Sequence, residues 1–262
     1  MTLAIHPTAI VEDGAQLGAD IAIGPYCHVG PNVVLGDGVE LKSHVVIAGH
    51  TRIGAGTVVF PFAVIGMPPQ HAGYKGEVVH LHIGANCTIR EHVTMHPGTP
   101  FGTGETRVGD NGLFMVGVHI AHDCRVGNNV VMANQATLGG HVEVGDFVNI
   151  GGMSAVHQRV RIGKHAMVGG MSGVEGDVIP YGMVMGDRAR LSGLNIIGLK
   201  RRGFERDEVH SLRAAYRLLF AAEGTMAERL EDDSGLMKDN TAIMDIVEFI
   251  RADSTRAICQ PR

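Results

Sequence analysis

An aliphatic residue returns every six positions along most of this chain. It runs through Ile5, Val11, Leu17, Ile23, Val29 and Leu35 to Ile65 without a miss, and resumes at Ile83, Ile89 and Met95 after an interruption. After a second interruption the frame shifts and continues from Val108 and Phe114 through Ile120, Val126, Met132 and Leu138 to Val174. Four residues after most of these stands a small or β-branched residue: Ala9, Ala15, Cys27, Val33, Thr51, Thr57, Ala136, Val142, Ser154, Ser172. Chance does not hold a frame through twelve successive units, and the pattern predicts a mainly β solenoid of hexapeptide repeats. Each unit is a short strand that cannot bury its own apolar side chain. Stacking coil on coil builds a continuous inner column of Val, Ile and Leu, each coil touching only its neighbours. Glycine often follows the aliphatic residue, as at Gly18, Gly54, Gly127 and Gly145, where a sharp corner demands either φ > 0 or close backbone approach.

The repeats occupy residues 1–190, broken at about 67–82, rich in Pro, Gly and His, and at about 97–107, rich in Gly and Thr. Loops thrown out from a rigid scaffold are where function usually sits. Residues 191–262 lose the six-residue frame and read as a small helical domain. Apolar residues at Val209, Leu212, Tyr216, Leu219 and Phe220 give helical spacing over Glu205–Ala222, with further helices over Met226–Leu236 and Thr241–Ala252. Gly224 and Ser234–Gly235 are the breaks between them.

Composition changes this picture little. Thirty-seven glycines in 262 residues would suggest disorder were they not explained by the corners, and the absence of Trp suits a narrow prism. No signal peptide and no apolar run long enough to span a bilayer is visible, so a cytoplasmic protein is expected. Cys27, Cys87, Cys124 and Cys259 form no CxxC pair, and Cys27 and Cys124 fall in the small inward slot, so buried thiols are expected rather than disulfides or metal ligands. A net charge of −5 argues against nonspecific binding of nucleic acid.

Candidate chemistry follows from the register. Three units per coil make about 18 residues per turn, so residues that far apart share a corner. His122 stacks below Gly140 and Gln158, with His141 and His157 each one position away, and His119 on the approach. Asp123 follows His122 directly. Imidazole is the natural general base near neutral pH, and a neighbouring carboxylate fixes its tautomer and raises its basicity.

The runs VHIAHDCRVG at Val118–Gly127, GGHVEVGDF at Gly139–Phe147, IGGMSAVHQ at Ile150–Gln158, MVGGMSGV at Met167–Val174 and NIIGLKRRGF at Asn195–Phe204 carry a resemblance. With HPTAIVEDGA and LKSHVVIAGHT near the start, they are similar to the UDP-N-acetylglucosamine O-acyltransferases of lipid A biosynthesis over nearly the whole chain. The hexapeptides alone would indicate only the acyltransferase superfamily. The resemblance implies left-handed coiling and a homotrimer with active sites between subunits, in the cytoplasm of a Gram-negative-type bacterium. It also implies transfer of an (R)-3-hydroxyacyl group from acyl carrier protein to the sugar 3-position of a UDP-sugar, with no cofactor and no metal. By matching motif, His122 is the general base, Asp123 orients it, and the Gly140 amide donates to the thioester oxygen. His119, His141, His157 and Gln158 line the cleft, with Gln70 from the first loop. Asn195, Arg201 and Arg202 reach the nucleotide, and Arg188, Arg190, Lys200 and Arg206 enlarge a basic patch suited to an acidic carrier. Gly170 falls where the family sets acyl-chain length, and its missing side chain implies a groove open to long chains.

Two positions depart from the family pattern. The first loop usually carries an acidic residue followed by Leu-Lys-Tyr; here His71 stands at the acid and Gly73 at the lysine, while Lys75 lies beyond Tyr74. Ile197 replaces a glutamate in the Asn-Ile-Glu-Gly run. The base is kept while acceptor recognition is altered, which leaves open a 3-amino sugar as acceptor, giving an amide. Other classes remain: a gamma-type carbonic anhydrase, whose paired histidines five residues apart are missing among the 15 here, and a non-catalytic β-helix. The sister N-acyltransferase usually has an additional N-terminal domain, whereas these repeats begin at Ile5.

Overall fold

The computed structural model describes residues 4–231, 240–252 and 254–261. The repeats coil into a left-handed parallel β-helix whose cross-section is a triangle of two-residue strands. Among the described residues its three sheets hold eleven, nine and eight strands. Through the repeats the strand order in each advances by three, so every sheet takes one strand from each coil, and only the last two strands of the first sheet depart from that step. Register repeats at 18 residues, with Thr137 facing Ala155 and Asn149 facing Met167. The six-residue frame supplies the core: from Ile23 onward every aliphatic residue of the series is at most 5% exposed. Each such side chain contributes about 1.5–3 kcal/mol when fully buried. No strand could hold that column alone.

The second inward position tolerates polarity where a carbonyl of the stack can accept. The Thr57 hydroxyl donates to Gly84 O at 3.1 Å, and that of Ser154 to Gly169 O at 2.8 Å. Cys124 donates from Sγ to Gly139 O at 3.1 Å, and burial pushes its thiol up to about 12. All four cysteines are free and buried.

The corners distinguish the two reasons for glycine. Left-handed backbone falls on the third residue after the aliphatic position, and ordinary residues occupy it: Tyr26, His44, Phe62, Asp123, His141 and Met171 all have φ between 56° and 66°. At most corners, Gly30 and Gly66 apart, the glycine one residue after the aliphatic position is instead demanded by the neighbouring coil. A Cβ on Gly54 would lie 2.5 Å from the Gly84 carbonyl carbon and 2.6 Å from Ala85 N.

Two coils are longer than the rest. Val58 faces Thr88, thirty residues on, and Thr88 faces Leu113, twenty-five on. Both surpluses leave at the same edge, where the second sheet turns into the third. They are shorter than the sequence suggests, because His80–Ile83 and Glu105–Val108 are strands that pair with each other, the first also with His50–Ile53 and the second with Arg125–Val126. Arg190–Leu194 ends the first sheet as an antiparallel strand on Gly182–Met185. Four helices follow among the described residues: α1 (Ile196–Arg201), α2 (Arg206–Leu219), α3 (Met226–Leu230) and α4 (Thr241–Arg251). The reciprocal hydrogen bonds of Glu205 and Glu208 start α2, a residue after the position its periodicity suggests. Its apolar stripe, Val209, Leu212, Ala215 and Leu219, is buried. The Ser234–Gly235 break, and the expected extension of α3 to Leu236, lie outside the described residues. The tail returns to the last coil through the bridges Asp177–Ile258 and Leu191–Pro261.

Coil contact, rather than backbone conformation, makes Gly54 obligatory. Gly54→Ala should lower unfolding free energy by about 1–3 kcal/mol, the usual cost of overpacking. Gly30→Ala, whose Cβ would sit at 3.5 Å from Ile47 O, an ordinary contact, should change little. Urea titrations of the two variants check this, and equal losses would refute it.

Candidate active site

At the edge carrying both inserted loops, the strand His119–Ile120 of the second sheet runs up to the corner, which Ala121–Asp123 round. Asp123 takes the left-handed conformation at φ 60°, which a short polar residue tolerates better than most. Its side chain is wholly buried. The second loop folds over it: Oδ1 accepts from Thr99 N at 3.0 Å, Thr103 N at 2.8 Å and the Thr103 hydroxyl at 3.2 Å, and Oδ2 from the Thr99 hydroxyl at 2.7 Å. A Cβ on Gly102 would lie 2.4 Å from this carboxylate, so the loop closes only with glycine there. Burial pushes the Asp123 carboxyl up, but the donors from His122, Thr99 and Thr103 outweigh it and hold it below the usual range. Asp123 is therefore ionised at neutral pH. It accepts from His122 Nδ1 at 2.8 Å, which places the proton on Nδ1 and leaves Nε2 bare.

The His122 ring lies against Gly140 of the next coil. A Cβ there would come within 2.8 Å of Nε2, so the imidazole has its place only because Gly140 has no side chain. The Gly140 N–H has no acceptor among the described residues. His141 stands edge to face on His122 with ring centroids 5.2 Å apart, its Nε2 3.8 Å from Asp123 Oδ2. Burial, chiefly, holds its pKa below the ordinary value. His71, from the first loop, meets His122 from another side at 5.4 Å. Half-buried His119 sits at hydrogen-bonding distance from the Thr94 hydroxyl, 2.8 Å, and burial, followed by His96 and His122, pushes it down to about 4. His157 does not complete the row by contact. Its Nδ1 accepts from Arg256 Nη2 at 2.7 Å, and Gln158 O accepts from Arg256 Nε at 3.2 Å, so the C-terminal segment holds both residues.

His122, Asp123 and His141 bring potential ligand atoms within 4.8 Å of one another. Five donors already occupy the Asp123 oxygens and Nδ1 carries the shared proton, so the arrangement is that of an imidazole oriented by a carboxylate, with Nε2 bare. Gln70 is exposed beside His71 in the first loop. Gly170 is exposed and not left-handed, and a Cβ there would meet Gly152 O at 3.4 Å, an ordinary contact. Asn195 is 7% exposed, and its side chain is already engaged: Oδ1 caps α1 by accepting from Gly198 N, and Nδ2 donates to His165 O at 2.9 Å. Arg201 is exposed, whereas Arg202 lies over the Phe147 ring and donates through Nη2 to Phe147 O at 2.7 Å. Its Nη1 is buried without a partner.

Sequence reasoning missed Thr99, Thr103, Phe101 and the approach of His71. The Gly and Thr richness of the second loop was the available signal for the first two. Inserted residues escape the 18-residue count that placed the others.

Comparison with known proteins gives consistent relatives. The model of the UDP-N-acetylglucosamine O-acyltransferase second domain matches residues 177–259, and that of the bacterial transferase hexapeptide, six repeats, matches residues 14–49. The chain is 55% identical over 259 residues to the acyl-(acyl-carrier-protein)–UDP-N-acetylglucosamine O-acyltransferase of Caulobacter vibrioides, covering 99% of this chain and 98% of that one. It is 56% identical over 260 residues to the enzyme of the same name from Azorhizobium caulinodans, covering 98% and 95%. Among solved structures, the UDP-N-acetylglucosamine O-acyltransferase of Moraxella catarrhalis superposes with a TM-score of 0.95 at 40% identity, covering 98% of this chain and all of that one.

The depressed histidines give stability a pH dependence of known sign. His119 stays neutral when folded down to about pH 4, whereas the unfolded side chain takes up a proton near 6.5. Between those values the unfolded state binds more protons, so stability falls as the solution is acidified. Denaturant titrations at about pH 7 and about pH 5 should show a smaller drop for His119→Gln than for the wild type, and an unchanged drop would refute the assignment.

Proposed function

This chain belongs to the acyl-(acyl-carrier-protein)–UDP-N-acetylglucosamine O-acyltransferase family, and we propose that His122 is the general base of its reaction. The enzyme transfers an acyl group from acyl carrier protein to UDP-N-acetylglucosamine, the first step of lipid A biosynthesis. The observation that carries the role of His122 is its fixed tautomer: Nδ1–H is committed to a buried, ionised Asp123, and Nε2 is left bare at the edge.

In this mechanism the sugar 3-hydroxyl attacks the thioester carbon of an (R)-3-hydroxyacyl chain while Nε2 takes its proton. Negative charge gathers on the thioester oxygen, where the unbonded Gly140 N–H donates to it. Collapse breaks the C–S bond, and the imidazolium returns the proton to the leaving thiolate. Asp123 stabilises the imidazolium throughout. Neutral His119 and His141 line the cleft without placing competing positive charge beside the base. His157, Gln158 and Gln70 border it. Exposed Arg201 suits a diphosphate, with Arg202 next to it at the end of α1 and Asn195 capping that helix.

A homotrimer accords with the corner between the first and second sheets. Tyr26, Phe62, Met153 and Met171 lie along it, 50–73% exposed. So many apolar side chains on one edge want cover, and a second copy would bring this edge against the one bearing His122. Light scattering at micromolar concentration should give three times the chain mass. Met153 and Met171 also flank Gly170, which supports an acyl groove there. Nothing in the local fold demands glycine at 170, so its smallness serves the groove.

A second reading, acyl transfer to a 3-amino sugar, rests on Gly73 and Ile197, which stand where the family has a lysine and a glutamate and leave the base intact. Parallel assays with the 3-hydroxy and 3-amino nucleotide sugars decide between the acceptors.

His122→Ala should lower kcat by about 10²–10⁴-fold for a hydroxyl acceptor, the usual worth of a general base, with the fold intact. With an amine acceptor the loss should shrink at high pH, where the free amine is already nucleophilic. A variant retaining most of its activity on the hydroxyl would exclude His122 as base. Gly170→Met should swing selectivity towards shorter donors, since each methylene excluded forfeits about 0.8 kcal/mol of binding. An unchanged ratio of rates with short and long acyl carrier protein thioesters would place the end of the groove elsewhere.

A further inference from the structure

The first inserted loop carries a second imidazole to the base, and its tautomer is already fixed. The loop turns tightly there, with the His71 N–H donating to Pro69 O at 2.8 Å and the Tyr74 N–H to His71 O at 3.0 Å. Within the turn the Gly73 N–H donates to His71 Nδ1 at 3.1 Å. A backbone amide can only donate, so Nδ1 is bare and the ring proton sits on Nε2. This is the mirror of His122, whose proton sits on Nδ1. The two rings meet edge to face, 5.4 Å apart at 86°, so an acceptor nitrogen and a donor nitrogen are offered side by side at one edge.

His71 is also held from behind. Phe101 of the second loop stacks on it at 5.4 Å and 30°. A Cβ on Gly73 would fall 3.0 Å from Phe101 Cε2 and 3.2 Å from His71 Cε1, so any side chain at 73 would press on the stacked pair. His71 and Gly73 therefore act as a unit: the glycine makes room for the stack and its amide sets the tautomer. The ring remains exposed at the edge.

We infer that His71 is a specificity-determining residue, whose Nε2–H donates to a hydroxyl or carbonyl oxygen of the acceptor sugar held beside His122. This rests on the reading of His122 as the base towards a nucleotide sugar. A neutral donor with a fixed proton favours an oxygen lone pair and repels an ammonium group, which has only donors of its own. The role is thus in binding and discrimination and not in moving the reacting proton.

The test is steady-state kinetics with UDP-N-acetylglucosamine and a hydroxyacyl-acyl carrier protein, with calorimetric titration of UDP-N-acetylglucosamine alone, on the full-length wild type, His71→Phe and His71→Gln. His71→Phe keeps a ring against Phe101 but has no donor. It should raise KM and Kd for the sugar nucleotide by about tenfold, the worth of one hydrogen bond, with the acidic limb of the kcat profile unmoved. His71→Gln presents an amide N–H near the place of Nε2–H and should stay within about threefold of wild type. An unchanged KM for His71→Phe, or losses in Tm alone for both variants, would mean that His71 only packs. A fall in kcat with a shifted pH limb would make it a proton carrier, which also overturns the inference. A wild type that neither binds nor acylates the sugar nucleotide would overturn the reading of the whole site, an outcome distinct from an active wild type that His71→Phe leaves unchanged.

Discussion

Everything in this molecule depends on how closely one coil can lie on the next. A two-residue strand has neither the length nor the apolar area to persist by itself, so hydrogen bonds and side-chain burial must both come from the coils above and below. That demand fixes the spacing at every corner. It excludes side chains at Gly54 and Gly140, although the two glycines serve different ends. At Gly54 the neighbour is backbone, and the glycine lets the solenoid close. At Gly140 the neighbour is the His122 ring, and the glycine lets that imidazole lie against the scaffold. One geometric rule thus closes the solenoid at one corner and seats a polar side chain at another.

The site is rigid where it must be oriented and built from insertions where it must be particular. His122, Asp123, Gly140 and His141 stand on repeat corners, positioned by the register of His119 with Thr137 and of Arg125 with Glu143. What surrounds them comes from the two surplus segments, which leave the helix at the same edge and join through Phe101 and His71. The second segment wraps a carboxylate with four of its five donors. The first is exposed and brings His71 to the His122 ring. The donors that hold Asp123 and the imidazole that meets His122 are therefore carried by separate stretches of chain.

This division explains what could be read from the sequence. The six-residue frame gave the solenoid and its inner column, because burial in every coil leaves an aliphatic residue at a fixed place. The count of 18 brought His122 over Gly140 and beside His141, since corners repeat with the coil. The same count says nothing about residues 66–79 or 96–104, whose positions depend on contacts between loops. Thr99 and Thr103 were invisible for that reason, and so was the approach of His71. The count also placed His157 correctly on the next coil but could not see Arg256, ninety-nine residues further along, which engages it. Two reasons were open for the glycine after each aliphatic residue. The left-handed residues two positions later, Tyr26, Phe62 and Met171 among them, show that crowding is the operative one.

The two long coils also say how such a chain can change length. A hexapeptide solenoid has a reading frame in space as strict as that of a coding message: a residue added inside a strand would turn every later inward side chain outward within that coil. Additions at a corner escape the penalty, for the chain can leave the prism, wander, and rejoin the next sheet in phase. Thr88 pairs correctly with both Val58 and Leu113 although neither interval is 18. The edge beside His122 is therefore a tolerant splice point, at which new segments can be inserted without disturbing the repeat corners that hold His122 and Asp123.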